Sequence, residues 1–213
     1  MHYCISDVHG EYAMYLEMLK TINFSDDDVL FFIGDAADRG PFGVDVWKDI
    51  MSRRNVVMIR GNHEQMCLDV FRPKKPVPHP MDLWMYNGGR TTLESMEALD
   101  TKQREMILDY LQETPLDYTA IVDDKAYYFV HGRPGKSNQK KLWGRLTPEC
   151  RSYRKETTIV VGHTPTFFLT YRFGPMQIWH GKGIIDIDCG CGHNNGDSQL
   201  ACLRLEDMQE WYI

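Results

Sequence analysis

The chain has 213 residues, and 24 Lys and Arg against 30 Asp and Glu give it a formal charge of −6. Hydrophobic residues make up 43% and charged residues 25%, ordinary globular usage that excludes disorder and collagen-like repeats. The acidic balance excludes a general nucleic-acid binder, which carries a basic patch or stripe, and makes the chain as a whole a poor host for anions.

The first 60 residues alternate between strand and helix patterns. HYCIS (2–6), VLFFI (29–33) and NVVMI (55–59) read as strands, the last two apolar enough to be buried on both faces. Residues 11–21 carry Tyr12, Tyr15, Leu16 and Leu19 at helical spacing, and 42–53 carry Val44, Trp47 and Ile50 or Met51. Strand and helix in alternation imply a parallel α/β core. A helix starting near residue 64 is expected to stop at Pro73, and the four prolines of RPKKPVPHP (72–80) read as loop. Residues 90–113 read as helix, split near Asp100–Thr101 with Thr101 as a cap. About 64–115 is therefore expected to be a helical insertion over the core of a single domain spanning 1–213. DYTAIV (117–122) and KAYYFV (125–130) flank Asp123–Asp124 as a hairpin, and TTIVVG (157–162), QIWHG, GIIDIDCG, SQLACLRL and EWYI add short strands.

No apolar run approaches the roughly 20 residues needed to cross a bilayer, and MHYCISDVHGEY lacks the basic and apolar regions of a signal peptide. Cysteines at 4, 67, 150, 189, 191 and 202 form no CxxC pair. They suit a reduced, cytoplasmic protein that uses thiols as small apolar groups. The CGC at 189–191 is read as strand and turn packing, since two cysteines alone cannot close a zinc site.

Five polar clusters stand at the ends of expected strands: SDVHG (6–10), GDAADRG (34–40), RGNHE (60–64), VHG (130–132) and VGHTP (161–165). Ligands of parallel α/β sheets bind outside the carboxyl ends of the strands, so five strands would deliver polar groups to one rim. Asp7, His9, Asp35, Asn62, His131 and His163 make six nitrogen and oxygen donors. That inventory suits two metal ions sharing a carboxylate better than one ion. Such a pair can clamp the oxygens of an in-line displacement and ionise a bridging water. Imidazole with carboxylate suits manganese, iron or zinc better than calcium. Glycines at 10, 40, 61, 132 and 162 let the backbone turn beside these donors. Arg39, Arg60 and Arg145 are permanent cations with fork geometry for phosphoryl oxygens. Asp38 and His63 stand outside the metal count and suit a carboxylate holding an imidazolium that protonates a leaving oxygen.

In this order, DVHG, GDAADRG, RGNHE, HG and GHTP resemble the metallophosphoesterase superfamily. Within it, GDxxDRG and RGNHE resemble the phosphoprotein phosphatases of the short bacterial and phage type, as do WMYNGGRTTL (84–93) and LWGR (142–145). The resemblance implies a calcineurin-like α/β fold, a central β-sandwich of mixed sheets flanked by helices. It assigns Asp7 and His9 to one metal, Asp35 to both, and Asn62, His131 and His163 to the other. The ions would be two per chain, most simply Mn2+, with Fe or Zn as alternatives. His63 and Asp38 would be the general-acid pair, and Arg39, Arg60, Arg145 and Asn62 would touch the phosphate. The implied activity is a serine/threonine, or dual-specificity, protein phosphatase in which metal-bound hydroxide attacks phosphorus directly. The alternative is a hydrolase of dinucleoside polyphosphates such as diadenosine tetraphosphate. The partners expected are a phosphorylated protein or a small phosphoester, not nucleic acid or membrane, with oligomeric state open. Among the remaining features, Arg133 adds a cation beside His131. His2, His79, His180 and His193 match no motif, Trp84, Met85 and Tyr86 read as packing of the insertion, and Lys74 and Lys75 read as solvated.

Overall fold

The structure, a computed structural model, describes residues 1–193 and 196–213. Its first part alternates as the sequence pattern requires: β1 (His2–Ile5), α1 (Tyr12–Thr21), β2 (Val29–Ile33), α2 (Gly43–Ser52), β3 (Val56–Ile59) and α3 (Asn62–Phe71). Three helices follow, α4 (Pro80–Tyr86), α5 (Arg90–Ala98) and α6 (Thr101–Glu113). The last part is strand-rich: β4 (Asp117–Val122), β5 (Lys125–Val130), α7 (Asn138–Trp143), β6 (Thr157–Val161), α8 (Phe167–Thr170), β7 (Trp179–His180), β8 (Ile184–Asp186), β9 (Ala201–Arg204) and β10 (Glu210–Tyr212).

The strands form two five-stranded mixed sheets, in the orders β10-β9-β1-β2-β3 and β4-β5-β6-β8-β7. β1, β2 and β3 run parallel in the first, and β5, β6 and β8 run parallel in the second. Alternation along each strand sorts side chains between layers. In β2, Leu30 and Phe32 enter the core under the helices, while Phe31 and Ile33 enter the core between the sheets. In β5, Tyr127 and Phe129 face the space between the sheets, and Tyr128 and Val130 face outward. Phe31 and Phe129 stack across that space at 4.2 Å between ring centroids. The fold is thus the expected sandwich of mixed sheets flanked by helices. Met96 of α5 and Ile107, Leu108 and Leu111 of α6 share one core with Tyr15 of α1 and Trp47 of α2. The helices between β3 and β4 therefore bury apolar surface against the first sheet's outer layer.

Local details depart from the sequence pattern. Asp100, not Thr101, caps α6: its carboxylate accepts from the Gln103 amide at 2.8 Å, which satisfies one of the unpaired donors of the first turn. Three short helices, α4, α7 and α8, were not expected. Pro80 opens α4 in its first turn, where a missing N–H costs nothing. The hairpin turn at Asp123–Asp124 has φ of 47° and 60°, the twist that matches flanking strands in a two-residue turn.

One buried carboxylate binds the loops at the sheet edge together. Glu64, in the first turn of α3, accepts through Oε2 from the amides of Asp35 and Gly61, both at 2.9 Å. Its Oε1 accepts from the Ala36 amide at 2.9 Å and from the Trp47 indole at 3.1 Å. Burial raises its pKa, and the Asp35 carboxylate adds to the rise while these donors oppose it. A Glu64→Gln chain would turn two amide hydrogens toward two N–H donors. It is expected to lose about 3 kcal/mol of stability in urea unfolding, and an unchanged midpoint would show that the network is dispensable.

Candidate active site

Each polar cluster lies just past a parallel strand. β1 leads to Asp7 and His9, β2 to Asp35, Asp38 and Arg39, β3 to Asn62 and His63, β5 to His131, and β6 to His163. The two sheets meet at this rim. Gly162, after β6 of the second sheet, lies against Asp7 of the first, and a Cβ there would fall 2.2 Å from Asp7 Oδ2. A Cβ on Gly61 would fall 2.1 Å from Asp35 Oδ1. Both close approaches require glycine. The site backbone is also unusual: Asp7, His9, Asp35, Asp38, Arg39 and His163 all have φ between 48° and 73°. Left-handed conformations at non-glycine residues cost energy and persist where the surroundings over-determine them.

The expected donors converge. The ligand atoms of Asp35, His131 and His163 lie within 4.8 Å of one another, and so do those of His9, Asp35 and His63. Asp35 belongs to both groups. His131 Nε2 is 3.2 Å from Asp35 Oδ2 and 2.9 Å from Asn62 Oδ1. Asp7 Oδ1 is 3.9 Å from His9 Nε2, and the Asp7 carboxylate accepts from the His163 amide at 3.1 Å. His63 Nε2 stands 3.8 Å from Asp35 Oδ2, so it borders the donors as Asp7 does.

The donor chemistry fits divalent ions. His9 and His131 each donate Nδ1–H to a carbonyl, Ala37 O at 3.1 Å and Ile33 O at 2.8 Å. That fixes the tautomer and turns the Nε2 lone pair inward, as metal-ligating histidines require. Burial pushes the Asp7 carboxyl up, and the Asp188 carboxylate adds to the shift. Burial also pushes Asp188 up, to about 6. Burial and the neighbouring His131 push His163 down to about 3. For His131, burial alone would lower the pKa, but Asp35 and Asp7 carry it to about 10. Carboxylates crowded in a buried space call for added positive charge.

His63 and Asp38 form a close pair. His63 Nδ1 donates to Asp38 Oδ2 at 2.6 Å, and Trp84 Nε1 donates to the same oxygen at 2.7 Å. The Asp38 amide donates to Thr92 Oγ1 at 3.0 Å. Burial would lower the His63 pKa, yet Asp35 and Asp38 raise it above the ordinary value. Trp84, read from sequence as packing alone, is fully buried and also orients Asp38.

These groups line a cavity of about 220 Å³, which includes Arg39, Asn87, Trp143, Arg145, Phe168, Asp188 and His193. Arg145 Nη1 donates to His163 O at 3.2 Å, and Arg39 Nη1 donates to His193 Nε2 at 2.8 Å. Arg60, expected at the phosphate, points elsewhere. Its Nη1 donates to Gln65 Oε1 at 3.0 Å, and its Nη2 donates to Gln112 O at 2.7 Å and Thr114 O at 2.9 Å. The end of α6 leaves carbonyls without intrahelical donors, and the Arg60 guanidinium supplies them. Asp188 and His193 are the residues that sequence reasoning left without a role. IDID (185–188) does carry the usable signal, acidic residues at a strand's carboxyl end. The other unmatched histidines lie by carboxylates: His2 by Glu206, His79 by Asp82 and His180 by Glu210. Arg72 is held by Glu105 and Asp109.

Two buried donor clusters sharing one carboxylate, at the joint rim of a two-sheet sandwich, define a metallophosphoesterase. The chain belongs to the calcineurin-like phosphoesterases, whose family model matches residues 3–205. It is accordingly a metal-dependent phosphoester hydrolase, of a family that uses a dinuclear divalent metal site. The asymmetrical bis(5'-nucleosyl)-tetraphosphatase PrpE of Anoxybacillus flavithermus is 27% identical to it over 242 residues, covering 96% of this chain and 90% of the relative. The serine/threonine-protein phosphatase 2 of Salmonella typhimurium is 28% identical over 175 residues, covering 75% and 77%. The crystal structure of a metallophosphoesterase from Sphaerobacter thermophilus shares the fold, with a TM-score of 0.58 at 19% identity over 99% of this chain and 86% of its own.

Since Asp35 stands in both clusters, Asp35→Asn should weaken both metal positions together. Native mass spectrometry of manganese-loaded protein is expected to find about two ions on the wild type and fewer than one on the variant. Full occupancy of the variant would exclude Asp35 as the shared ligand.

Proposed function

We propose that the protein is a phosphomonoesterase acting on phosphorylated protein side chains, serine and threonine first and tyrosine as well. The observation that carries this reading is the composition of the cavity wall. Two arginines, Arg39 and Arg145, line a space of about 220 Å³ that also holds the His63–Asp38 pair. Two permanent cations match one phosphoryl group. A polyphosphate chain would call for more, and Arg60 is committed to the end of α6.

In this reading Asp7, His9, Asp35, Asn62, His131 and His163 hold two divalent ions, with manganese as the proposed metal. Bound there, the ions supply Lewis acidity toward a phosphoryl oxygen and an ionised water at neutral pH. Arg39 and Arg145 hold the non-bridging oxygens, and Asn62 lines the same cavity and assists them. His63 Nε2, facing the cavity, gives its proton to the leaving oxygen. Asp38 Oδ2 keeps the other ring proton and stabilises the imidazolium. Trp84 fixes that carboxylate in place. The six free thiols support a reducing, cytoplasmic setting. Among the described residues no helix is long and apolar enough to cross a membrane.

A second reading, hydrolysis of dinucleoside polyphosphates, is favoured by the end-to-end match to the Anoxybacillus tetraphosphatase. Assays on matched phosphopeptides and on diadenosine tetraphosphate, with products separated by chromatography, decide between them. Preference for the phosphopeptide is expected, and preference for the dinucleotide would reverse the assignment. No turnover of p-nitrophenyl phosphate above an Asp35→Asn control would sink the phosphomonoesterase reading.

His63→Asn should lower kcat about 100-fold for alkyl phosphates and much less for p-nitrophenyl phosphate, whose leaving group needs no acid. Equal losses would remove His63 from that role. Arg145→Ala should raise KM about tenfold, the scale of one hydrogen bond to a charged group. An unchanged KM would place Arg145 outside the phosphate contact.

A further inference from the structure

The metal-donor cavity adjoins a second, larger cavity of about 420 Å³. Pro165, Phe168 and His193 line both. Among the described residues, the second cavity is walled by Phe167, Phe173 and Met176, with Asp197 at its edge. Phe168 is 51% exposed and Phe173 95% exposed. Phenylalanine left in water has no reason in packing, since its burial elsewhere would be favourable. These rings stand on α8 and the loop behind it, immediately after the GHTP motif that carries His163.

Resting on the phosphomonoesterase reading, we infer that this shelf is a leaving-group subsite for an aromatic ring esterified directly to the phosphoryl group, as in a phosphotyrosine side chain. Three observations select that occupant. The two cavities share Pro165, Phe168 and His193, so the shelf lies directly beside the space where a group bonded to the phosphorus through one oxygen would emerge. The shared wall is proline, phenylalanine and a histidine whose Nε2 already accepts from Arg39. Beyond Arg39, which is already bonded to His193, none of the described residues lining the shelf is a lysine or arginine that could accompany a polyphosphate tether to a nucleobase. A neutral ring on the shelf gains edge and face contacts with Phe167, Phe168 and Phe173.

The test compares two peptides of identical sequence, one carrying phosphotyrosine and one phosphoserine, on the manganese-loaded wild type and on Phe173→Ala. Phe173 is almost wholly solvated, so the variant should keep the wild-type melting temperature. The ratio of kcat/KM for phosphotyrosine over phosphoserine is expected to fall about fivefold, the scale of one aromatic contact. Phe173→Trp should restore it. A ratio that does not move in Phe173→Ala overturns the subsite while leaving the phosphomonoesterase reading intact. A wild type inactive on both peptides overturns both readings. A loss confined to diadenosine tetraphosphate turnover assigns the shelf to a nucleobase and overturns the proposal.

Discussion

The site depends on a carboxylate that does not line it. Glu64 accepts four hydrogen bonds with two oxygens, from the amides of Asp35, Ala36 and Gly61 and the indole of Trp47. Those amides belong to the loops after β2 and β3, and Trp47 belongs to α2. Asp35 hangs from the first of these loops, and Asn62 and His63 open α3 directly after the second, so their relative positions follow from this one buried anchor. The anchor also accounts for backbone strain. Left-handed non-glycine residues cost about 1–3 kcal/mol each, and Asp35 and Asp38 can stay there only because neighbouring groups are held in fixed places.

Electrostatics explain why such a site tolerates burial. Asp7, Asp35, Asp38 and Asp188 are all buried at one rim of a chain whose net charge is −6. Burial pushes the Asp7 and Asp188 carboxyls up, while the neighbouring histidines hold Asp35 well below its ordinary value against the same burial. This is a cluster poised for cations, and a pair of divalent ions would reverse its local sign. The acidic balance of the whole chain therefore says little about the local field at this rim, where Arg39 and Arg145 also stand.

The cavity is also asymmetric. One wall carries arginines and inward imidazoles, while the opening beyond Phe168 is phenylalanine and methionine. A polar pocket that fixes the reacting group beside an apolar surface that accepts the rest is a common division in small-molecule and peptide sites. Relatives of this chain include both a tetraphosphatase and a protein phosphatase. The lining of this opening, rather than the donors shared at the rim, is where such differences would be written.

By itself the sequence determined the sheet-and-helix order and which strand ends carry the polar clusters. Both are local consequences of alternation: VLFFI, DYTAIV and KAYYFV are strands at their expected bounds, and polar groups just past parallel strands reach one edge. The family resemblance rested on the same short motifs. The tertiary structure alone decided how the donors are used. Trp84 reaches Asp38 across 46 residues, and Arg60 turns to carbonyls more than 50 residues away. No spacing rule reaches that far, because those partners are set by how helices α3 to α6 pack on the first sheet. The role of Glu64 was hidden for the same reason. A glutamate in a helix's first turn looks like a surface cap until two loops and a helix close over it.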